Sequence, residues 1–512
     1  MGPFLQFRLW LKEAPRPEIR MFGASVLALL GIVAWSLVPS GGTAPGESVP
    51  AALGAPTGAP QPGTPGFVPP IEGSTPTGAG IPGTPNSPFG SAFPTGTPTS
   101  SATAQALTAS DIGVTAKTIK LGFTIINLAG AEQAGLNAAA NLRGDIRQVI
   151  DALVDDANKR GGILGRSIVA AKASVDLLDP ADQQQKCLQL TETEEVFAVI
   201  DSFAFLNEAA KACISVDHKR PLISNIPGPR KDVERAYPYQ ISPVDDYNQR
   251  LKNWVFYAKE SGFFNRSKGF VRLGILSDTC APSALDDPKI GLKAYLKQVG
   301  LKESDWSEHR VNCDIQSQQS AGAAAVLQHR GDDVTHVFFA TIGAGVRNYL
   351  QVAQNSQWKP KYGVSDEWGL TSSGTSRGWQ ADQFDGTRAV TTNHEGELII
   401  GKPLTPTAKF CSKIFTDHGL EPVTNYSYDS EALFLCEELQ LFIEAATKAG
   451  TYLTRPIWAQ ALQTVGKFKP AFGDLALFNK VGKVTGGDSV AVIEWRKQCT
   501  CYVQVRGFRP AY

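Results

Sequence analysis

The segment Asp155–Ile168, which reads D-D-A-N-K-R-G-G-I-L-G-R-S-I, constrains the fold more than any other stretch of the chain. Apolar residues leading into it recur at the spacing of one helical face, at Ile146, Val149, Ile150, Leu153, Val154 and Ala157. Gly161 and Gly162 then end the helix, because glycine tolerates the positive φ that helix C-termini often require. Ser167–Val175 is predicted to be a strand, so one tight turn joins a helix to a strand.

From Lys117 onward, predicted strands and helices alternate with short turns, which is typical of parallel α/β units. The strands of a first unit are predicted at Ile119–Ile126, Ile168–Val175, Phe197–Ser202, Pro221–Ser224 and Tyr239–Ser242. A second unit begins at Asp246, with strands at Arg272–Leu276, His309–Cys313, His336–Thr341 and Tyr362–Val364. The remaining elements are a run at Arg388–Thr392, helices near Thr407–His418 and Ser430–Ala449, and strands at Leu475–Phe478, Ser489–Arg496 and Tyr502–Val505.

Residues 21–38 form a run of 18 residues without a charge, which meets the lower bound for a membrane-spanning helix. Lys and Arg residues precede this run, and none follows it before Lys117. The positive-inside rule therefore predicts a cytoplasmic tail at 1–20, a transmembrane anchor or uncleaved signal at 21–38, and an extracytoplasmic body. A cleaved secretory signal is the alternative, although no convincing A-x-A site follows the run.

Residues 39–110 consist mainly of Pro, Gly, Thr, Ser and Ala, and only Glu47 and Glu72 carry a charge. A segment of this composition cannot bury enough apolar surface to offset the entropy lost on ordering. It is therefore predicted to be a disordered linker between the membrane and the body.

The charge balance and the missing motifs exclude several classes of function. The 49 basic and 49 acidic residues form no basic stripe, so nucleic acid is not expected as a partner. The chain has no G-x-x-x-x-G-K-[ST] phosphate loop, and its six His residues are scattered. Gly343-Ala-Gly345 begins a G-x-G-x-x-G pattern, but Asn348 stands where the third Gly belongs. The sequence thus predicts no catalytic residue, no metal and no cofactor, and the protein is not expected to be an enzyme.

Three motifs resemble those of one family. The turn contains N-x-x-G-G-I-x-G-R from Asn158 to Arg166, and the body opens with G-V-T-A-K-T-I-K-L-G-F from Gly113. The ending G-D-L-A-L-F-N-K-V-G-K-V from Gly473 is similar to G-x-L-x-F/W-D-x-x-G-D, with Asn479 and Lys483 in place of acidic residues. In these motifs and their order from Ile112 to Val505, the chain resembles the type I periplasmic solute-binding proteins, the family of the Leu/Ile/Val-binding protein.

This resemblance implies a two-lobed α/β fold, in which each lobe is a parallel sheet flanked by helices and the chain crosses the hinge three times. The crossings are expected near Ser242–Asp246, Asp385–Thr392 and Lys469–Asp474. Lobe 1 would then comprise 112–244 and 388–470, and lobe 2 would comprise 245–387 and 471–505.

The resemblance also implies a function. We expect an extracytoplasmic protein that captures a small polar or amphipathic ligand, amino-acid-like or related, for an ABC importer. Its partners would be the ligand, the ABC transporter permease and the membrane through the N-terminal helix, and it would act as a monomer. A ligand-sensing receptor ectodomain that acts through a membrane partner is the alternative function, and a secreted protein is the alternative location.

The eight cysteines, an even count in an exported protein, indicate disulfides. In sequence order they form four local pairs: Cys187 with Cys213, Cys280 with Cys313, Cys411 with Cys436, and Cys499 with Cys501. The resemblance implies the first pair, since the family often has a disulfide there. Buried free thiols are the alternative, and the last pair is uncertain because only one residue separates its members.

Candidate ligand-binding residues follow from the rule that ligands of open α/β sheets sit beyond the carboxyl ends of the strands. The first lobe offers Asn127, Phe203, Phe205, Asn207, Ser224 and Asn225, and the second offers Asp278, Asp366, Glu367 and Trp368. Tyr428 begins a Y-D-S-E-A helix similar to the Y-D-A-type helix of the family, whose Tyr can line the pocket. Each polar candidate could instead be a helix cap or turn residue.

One stretch departs from the family pattern. Amino-acid-binding members hold the ligand's α-carboxylate with Ser or Thr after the third strand, where this chain has Asp201-Ser-Phe-Ala-Phe-Leu-Asn207. Phe203 and Phe205 favour stacking against a flat or apolar ligand.

Overall fold

The computed structural model describes residues 107–127, 144–202, 206–366 and 369–512. The predicted tail at 1–20, the anchor at 21–38 and nearly all of the predicted linker lie outside these residues. Within the described ranges, no helix combines the length and the apolar character needed to cross a bilayer.

The first sheet has five parallel strands in the order β2-β1-β3-β4-β5. They span Thr118–Ile126 (β1), Ser167–Val175 (β2), Ala198–Asp201 (β3), Leu222–Ser224 (β4) and Gln240–Ile241 (β5). The helices between them are Ile146–Lys159 (α1), Pro180–Leu188 (α2), Glu208–Ala212 (α3) and Arg230–Arg235 (α4), with π-helical turns at Gln189–Thr193 and Cys213–Asp217. Apolar side chains on both faces of the sheet are buried against these helices, as expected for a parallel sheet.

The predicted turn after α1 is confirmed. Asp145 caps the helix by accepting the Arg147 N–H at 3.0 Å, and the predicted apolar stripe is buried. Gly162 has a φ of +63°, and a Cβ at that position would collide with the Arg166 carbonyl oxygen. The tight turn therefore requires glycine there.

Arg166, the last residue of the turn motif, anchors the start of the body. Its buried guanidinium donates to the carbonyl oxygens of Thr115 at 2.8 Å, Thr108 at 3.1 Å and Thr451 at 2.9 Å. The Ser110 hydroxyl also donates to the Leu453 carbonyl at 2.6 Å. Residues 107–110 were predicted to belong to the disordered linker. They are instead packed on the folded body, because Thr108 is bonded to Arg166 and Ser110 to Leu453.

The second sheet has seven strands in the order β14-β13-β10-β9-β8-β6-β7. They span Leu273–Asp278 (β6), Trp306–Val311 (β7), His336–Ala340 (β8), Lys361–Val364 (β9), Arg388–Thr391 (β10), Ser489–Arg496 (β13) and Cys501–Pro510 (β14). The helices of this lobe are Tyr247–Ser261 (α5), Pro282–Asp286 (α6), Leu292–Gln298 (α7), Ile315–Ser320 (α8), Gly322–Gly331 (α9), Gly343–Asn355 (α10), Ser373–Ser376 (α11) and Ala381–Phe384 (α12). Only β13 and β14 are antiparallel additions, and they extend the sheet at one edge.

The chain returns to the first lobe through Leu398–Ile400, a 3₁₀ turn, and then forms Pro406–Asp417 (α13), Ser430–Ala449 (α14) and Arg455–Leu462 (α15). A small hairpin follows, Gly466–Phe468 (β11) with Ala476–Phe478 (β12). Residues of α14 are buried around almost its whole circumference, which identifies it as the central helix of the first core.

The two expected boundaries of the second lobe-1 segment, 388 and 470, both need correction. Strand β10 pairs in parallel with β9, Ala389 opposite Val364, and so belongs to the second sheet. Phe472, Phe478 and Val484 pack in the core of the first lobe, so that lobe extends beyond residue 470. Pairing within the sheet decides the first boundary, because β10 is held by strands on either side. Packing in the core decides the second.

The three expected crossings are present at shifted positions. The first lies at 242–246 as predicted; the second follows β10 at 392–395, and the third lies between β12 and β13 at 484–489. Ser242 N–H of the first crossing donates to the Val484 carbonyl of the third at 2.9 Å, and His394 N–H of the second donates to the Phe472 carbonyl, between β11 and β12, at 2.9 Å. The first and third crossings are therefore bonded to each other, the second is bonded to lobe 1, and the three together make up the hinge.

The structure contains all four local disulfides, including Cys499–Cys501. Their Cα–Cα separations are 6.3, 4.8, 6.1 and 5.1 Å in sequence order, within the range that a disulfide spans. A His218 side chain lies near Cys187 and Cys213, but these thiols are bonded to each other and so are not metal ligands.

Replacing Cys187 and Cys213 by Ser should lower the free energy of unfolding by about 3 kcal/mol, because the disulfide no longer restricts the unfolded chain. The two residues are 26 positions apart, and both are buried. Urea unfolding of the double variant, followed by tryptophan fluorescence, measures the change. An unchanged midpoint would contradict the expectation, and the reduced wild-type protein provides the comparison.

Candidate functional site

Strand ends of both sheets meet next to the hinge, where Arg250 contacts Asn225 after β4 and Asp366 after β9; we call this boundary between the lobes the cleft. In the first lobe Ser224 ends β4, and its hydroxyl donates to the buried Asp201 carboxylate at 3.2 Å. Thr124 donates to the other oxygen of Asp201 at 2.6 Å. Thr124, Asp201 and Ser224 thus form one hydrogen-bonded polar group at the ends of β1, β3 and β4, which we call the polar floor.

The two lobes touch directly across this cleft. The Ser427 hydroxyl, just before α14, lies 2.8 Å from the Ser372 hydroxyl and accepts the Gly374 N–H at 2.7 Å. The neighbouring Tyr428 ring faces the Arg377 guanidinium at 4.4 Å, a cation–π contact. Ser427 and Tyr428 belong to lobe 1 and their partners to lobe 2, so side chains of both lobes hold the cleft in a closed arrangement.

Arg250, on the first turn of α5, links the hinge to both lobes. Its guanidinium donates to the Asn225 carbonyl of lobe 1 at 3.2 Å and to the Asp366 carbonyl of lobe 2 at 2.8 Å. It also pairs with the Asp245 carboxylate at 3.2 Å. Burial raises the pKa of Asp245 to about 8 despite the adjacent cation. One buried guanidinium thus positions a strand end from each sheet.

Asp366 lies at the hinge. Its carboxylate accepts from the Thr371 hydroxyl, from Thr392 at 3.3 Å and from Asn393 at 3.2 Å. Because Thr392 and Asn393 belong to the second crossing, Asp366 fastens the end of β9 to the hinge.

The other predicted site residues have separate environments. Asn207 caps α3 by accepting the Ala210 N–H at 2.8 Å, and Asn127 follows β1 with its N–H bonded to the Val175 carbonyl at 2.7 Å. Asp278 accepts from Cys280, Thr341 and Gln318, and burial raises its pKa to about 6. Phe203, Phe205, Glu367 and Trp368 lie outside the described residues. The structure therefore brings Ser224, Asn225, Asp366 and Tyr428 to the cleft and hinge.

Several residues of the site were missed in the sequence. Ser427 directly precedes Tyr428, so the Y-D-S-E-A motif that predicted Tyr428 could also have located Ser427. Arg250 and Arg377 carried no signal, because charged residues on helices and loops are usually solvated.

Glu395, on the second crossing, gives the hinge a pH dependence. Its carboxylate accepts the Ser373 hydroxyl and the Ser373 N–H, the latter at 3.3 Å, and complete burial raises its pKa to about 7. The folded state therefore holds this proton more tightly than the unfolded chain does, where the pKa is near 4.5. The contribution of Glu395 to stability is greatest below pH 4.5 and falls as the pH rises to about 7.

Between pH 4.5 and 7, the free energy of unfolding of the Glu395→Gln variant should change less with pH than that of the wild type. The difference between the two changes should reach up to about 3 kcal/mol. The amide keeps the shape of the side chain and carries no charge at any pH. Urea titrations at intervals across this range measure the difference, and the exposed Glu421→Gln serves as control. Parallel pH profiles for wild type and Glu395→Gln would refute this account.

Comparisons with known proteins agree with this architecture. A sequence profile of the family described as periplasmic binding protein matches residues 137–500. A fatty acid ABC transporter substrate-binding protein from Thermomonospora curvata aligns with a TM-score of 0.57 at 16% identity, over 78% of this chain and 94% of that chain. No curated protein matches the sequence.

Two further solved structures share the fold. A branched-chain amino acid ABC transporter protein from Thermus thermophilus with bound valine gives a TM-score of 0.57 at 15% identity, covering 77% of this chain and 97% of that one. A solute-binding protein of an ABC transporter from Rhodopseudomonas palustris BisB5, in complex with 3,4-dihydroxybenzoic acid, gives 0.53 at 13% identity, covering 77% and 98%. The predicted two-lobed α/β fold is confirmed, and because the profile spans well over half of the sequence, the chain belongs to the periplasmic binding protein family.

Proposed function

We propose that this protein is an extracytoplasmic solute-binding protein that captures a small ligand between its lobes and delivers it to an ABC importer. The observation that carries the proposal is the cleft itself: two sheets present their strand ends to each other, and Ser427 and Ser372 meet across the gap. A ligand that contacts both lobes favours the closed arrangement by its differential affinity for that state. The relatives named for valine, a fatty acid and 3,4-dihydroxybenzoic acid support a small organic ligand.

The hinge supports closure as the working motion. Three crossings connect the lobes. Tyr428 is half-buried and Arg377 is exposed, so water can replace their contact when the lobes separate, whereas Ser427 is buried in the closed arrangement. Family membership also favours binding over catalysis, and we propose no reaction for the site.

Equilibrium dialysis of the purified protein against a metabolite extract, followed by mass spectrometry, should recover at least one retained small molecule. Phe205→Ala and Glu367→Ala should each weaken its binding by about 1.5–3 kcal/mol, through lost packing and a lost charge-assisted bond respectively. The exposed Glu303→Ala should leave the affinity unchanged. Retention of no small molecule would count against the transport function, and wild-type affinity in both variants would move the contacts elsewhere in the cleft.

We further propose that residues 21–38 anchor the chain and that residues 39–106 act as its tether. The charge asymmetry around the apolar run and the composition of the linker support this topology. Protease added to intact, wall-stripped cells should then release a fragment that begins between about residues 40 and 112, because exposed unstructured segments are cleaved first. A cytoplasmic protein serves as control. If the body is protected while cells are intact, the topology is wrong.

A further inference from the structure

The central helix α14 buries three carboxyl groups inside the first lobe. Glu431 is 1% exposed, and Glu437 and Glu438 are 0% exposed. Charged side chains are almost never fully buried without partners, because removing a charge from water costs several kcal/mol. Each of these three residues therefore needs a physical account.

Glu437 has a structural one. One oxygen of its carboxyl group accepts the Phe472 N–H at 2.8 Å. Phe472 lies between β11 and β12, so Glu437 fastens that segment to the central helix.

Glu431 and Glu438 have no comparable set of partners. Neither carboxyl group accepts a hydrogen bond of good geometry, although the Ser202 hydroxyl lies near Glu431 and the Asn225 N–H near Glu438. The side-chain oxygen of Asn225, a residue 4% exposed, is also buried without a hydrogen-bond partner. Three side chains thus present unused acceptor atoms in one region of the protein.

This region lies at the cleft edge of the lobe. Ser202 and Asn225 directly follow β3 and β4, whose carboxyl ends face the cleft. The Ser202 hydroxyl donates to the Glu431 backbone carbonyl at 3.3 Å, which places the first turn of α14 beside the end of β3. Tyr428, three residues before Glu431, already contacts Arg377 of the other lobe.

The charges around the group leave it acidic. Asp201 on β3 faces both Glu431 and Glu438, and Glu437 adds a further carboxyl from the same helix. The buried cation nearest to Asp201 is Lys211 on α3, and it is paired with Glu208 at 3.1 Å. Burial and the nearby carboxyl groups raise the pKa of Glu431 and Glu438 well above the usual range, which favours their neutral forms.

The spacing of the oxygens favours an organic cation over a metal ion. Within the described parts of the chain, these carboxyl groups do not form a cluster of three or more that could hold a metal ion. Oxygen ligands bind Mg²⁺ or Ca²⁺ at about 2.0–2.6 Å and therefore crowd together around the ion. An ammonium or guanidinium group, whose N–H donors point in different directions, can instead bond to acceptors that are farther apart.

We propose that Asp201, Asn225, Glu431 and Glu438 form a subsite for the ammonium or guanidinium group of the ligand. The inference rests on the proposed ligand-binding function and specifies the chemical class of the ligand. When the cation enters, Glu431 and Glu438 ionise and release their protons to solvent, and the carboxylates then accept hydrogen bonds from the cation.

Calorimetric titration of the full chain tests the subsite. The organic probes are agmatine, putrescine and lysine; K⁺ and Mg²⁺ are the inorganic probes, and valine and 3,4-dihydroxybenzoate represent ligands without net positive charge. We expect at least one organic cation to bind, and Glu431→Gln and Glu438→Gln each to weaken it about tenfold or more. Glu444→Gln on the same helix is the matched control and should leave the affinity unchanged. Both Gln variants should fold with at least wild-type stability, since the protonated acid and the amide are both neutral.

The wild-type protein gives a second measurement that needs no variant. Titrations in two buffers of different ionisation enthalpy should show proton release on binding, and affinity for the organic cation should rise from pH 6 to pH 8. Failure of all three organic cations to bind, or binding that both Gln variants leave unaltered, overturns the subsite; so does proton uptake, or binding of inorganic cations alone. If valine or dihydroxybenzoate still binds in that case, the proposed solute-binding function stands without the cationic subsite.

Discussion

The buried guanidinium of Arg250 is the interaction on which the arrangement of the two lobes depends. It donates to a backbone carbonyl from each sheet and pairs with Asp245 on the first crossing. A guanidinium can make these contacts together because its donors are fixed in a plane and point in several directions. A lysine at the same place would present one compact charge and could not bridge the two strand ends in the same way.

The hinge also contains three buried carboxyl groups. Asp245, Asp366 and Glu395 are all buried, and each is bonded to donors from a crossing or from the opposite lobe. Burial raises the pKa of Asp245 and Glu395 because their charged forms lose water. Opening the lobes would return water to such groups. The balance between open and closed states therefore combines contacts across the cleft with the hydration of the hinge.

Much of the fold could be predicted from the sequence, because its strongest signals are local. The apolar stripe of α1, the glycine pair after it and the pairing of neighbouring cysteines depend on residues close together in the chain. The sheet that contains 388–391 could not be read in this way. Strand β10 pairs with β13, about a hundred residues later, and the sequence of a short strand does not identify a partner so far along the chain.

The site was harder to predict than the fold for a related reason. Strand ends locate the cleft, and Ser224, Asn225 and Tyr428 do lie there. What the side chains do at the strand ends depends on contacts between segments far apart in sequence. Asp366 resembled a ligand-binding acid, yet its carboxylate is bonded to hinge donors. Charged residues on a helix are usually solvated, and only the packing of α14 through the core reveals that Glu431 and Glu438 are buried.

The polar floor also bears on the charge of the ligand that we propose for the cleft. Both oxygens of Asp201 accept hydroxyl donors, from Thr124 and Ser224, so Asp201 offers acceptor atoms to its surroundings. A ligand carboxylate placed beside it would meet another acceptor, with Glu431 and Glu438 available as donors only while they keep their protons. A ligand cation would meet acceptor atoms on these side chains, and its affinity would rise as Glu431 and Glu438 lose their protons. In the proposed subsite, the preference for a ligand charge is set by a few side chains at the strand ends and not by the sheets that carry them.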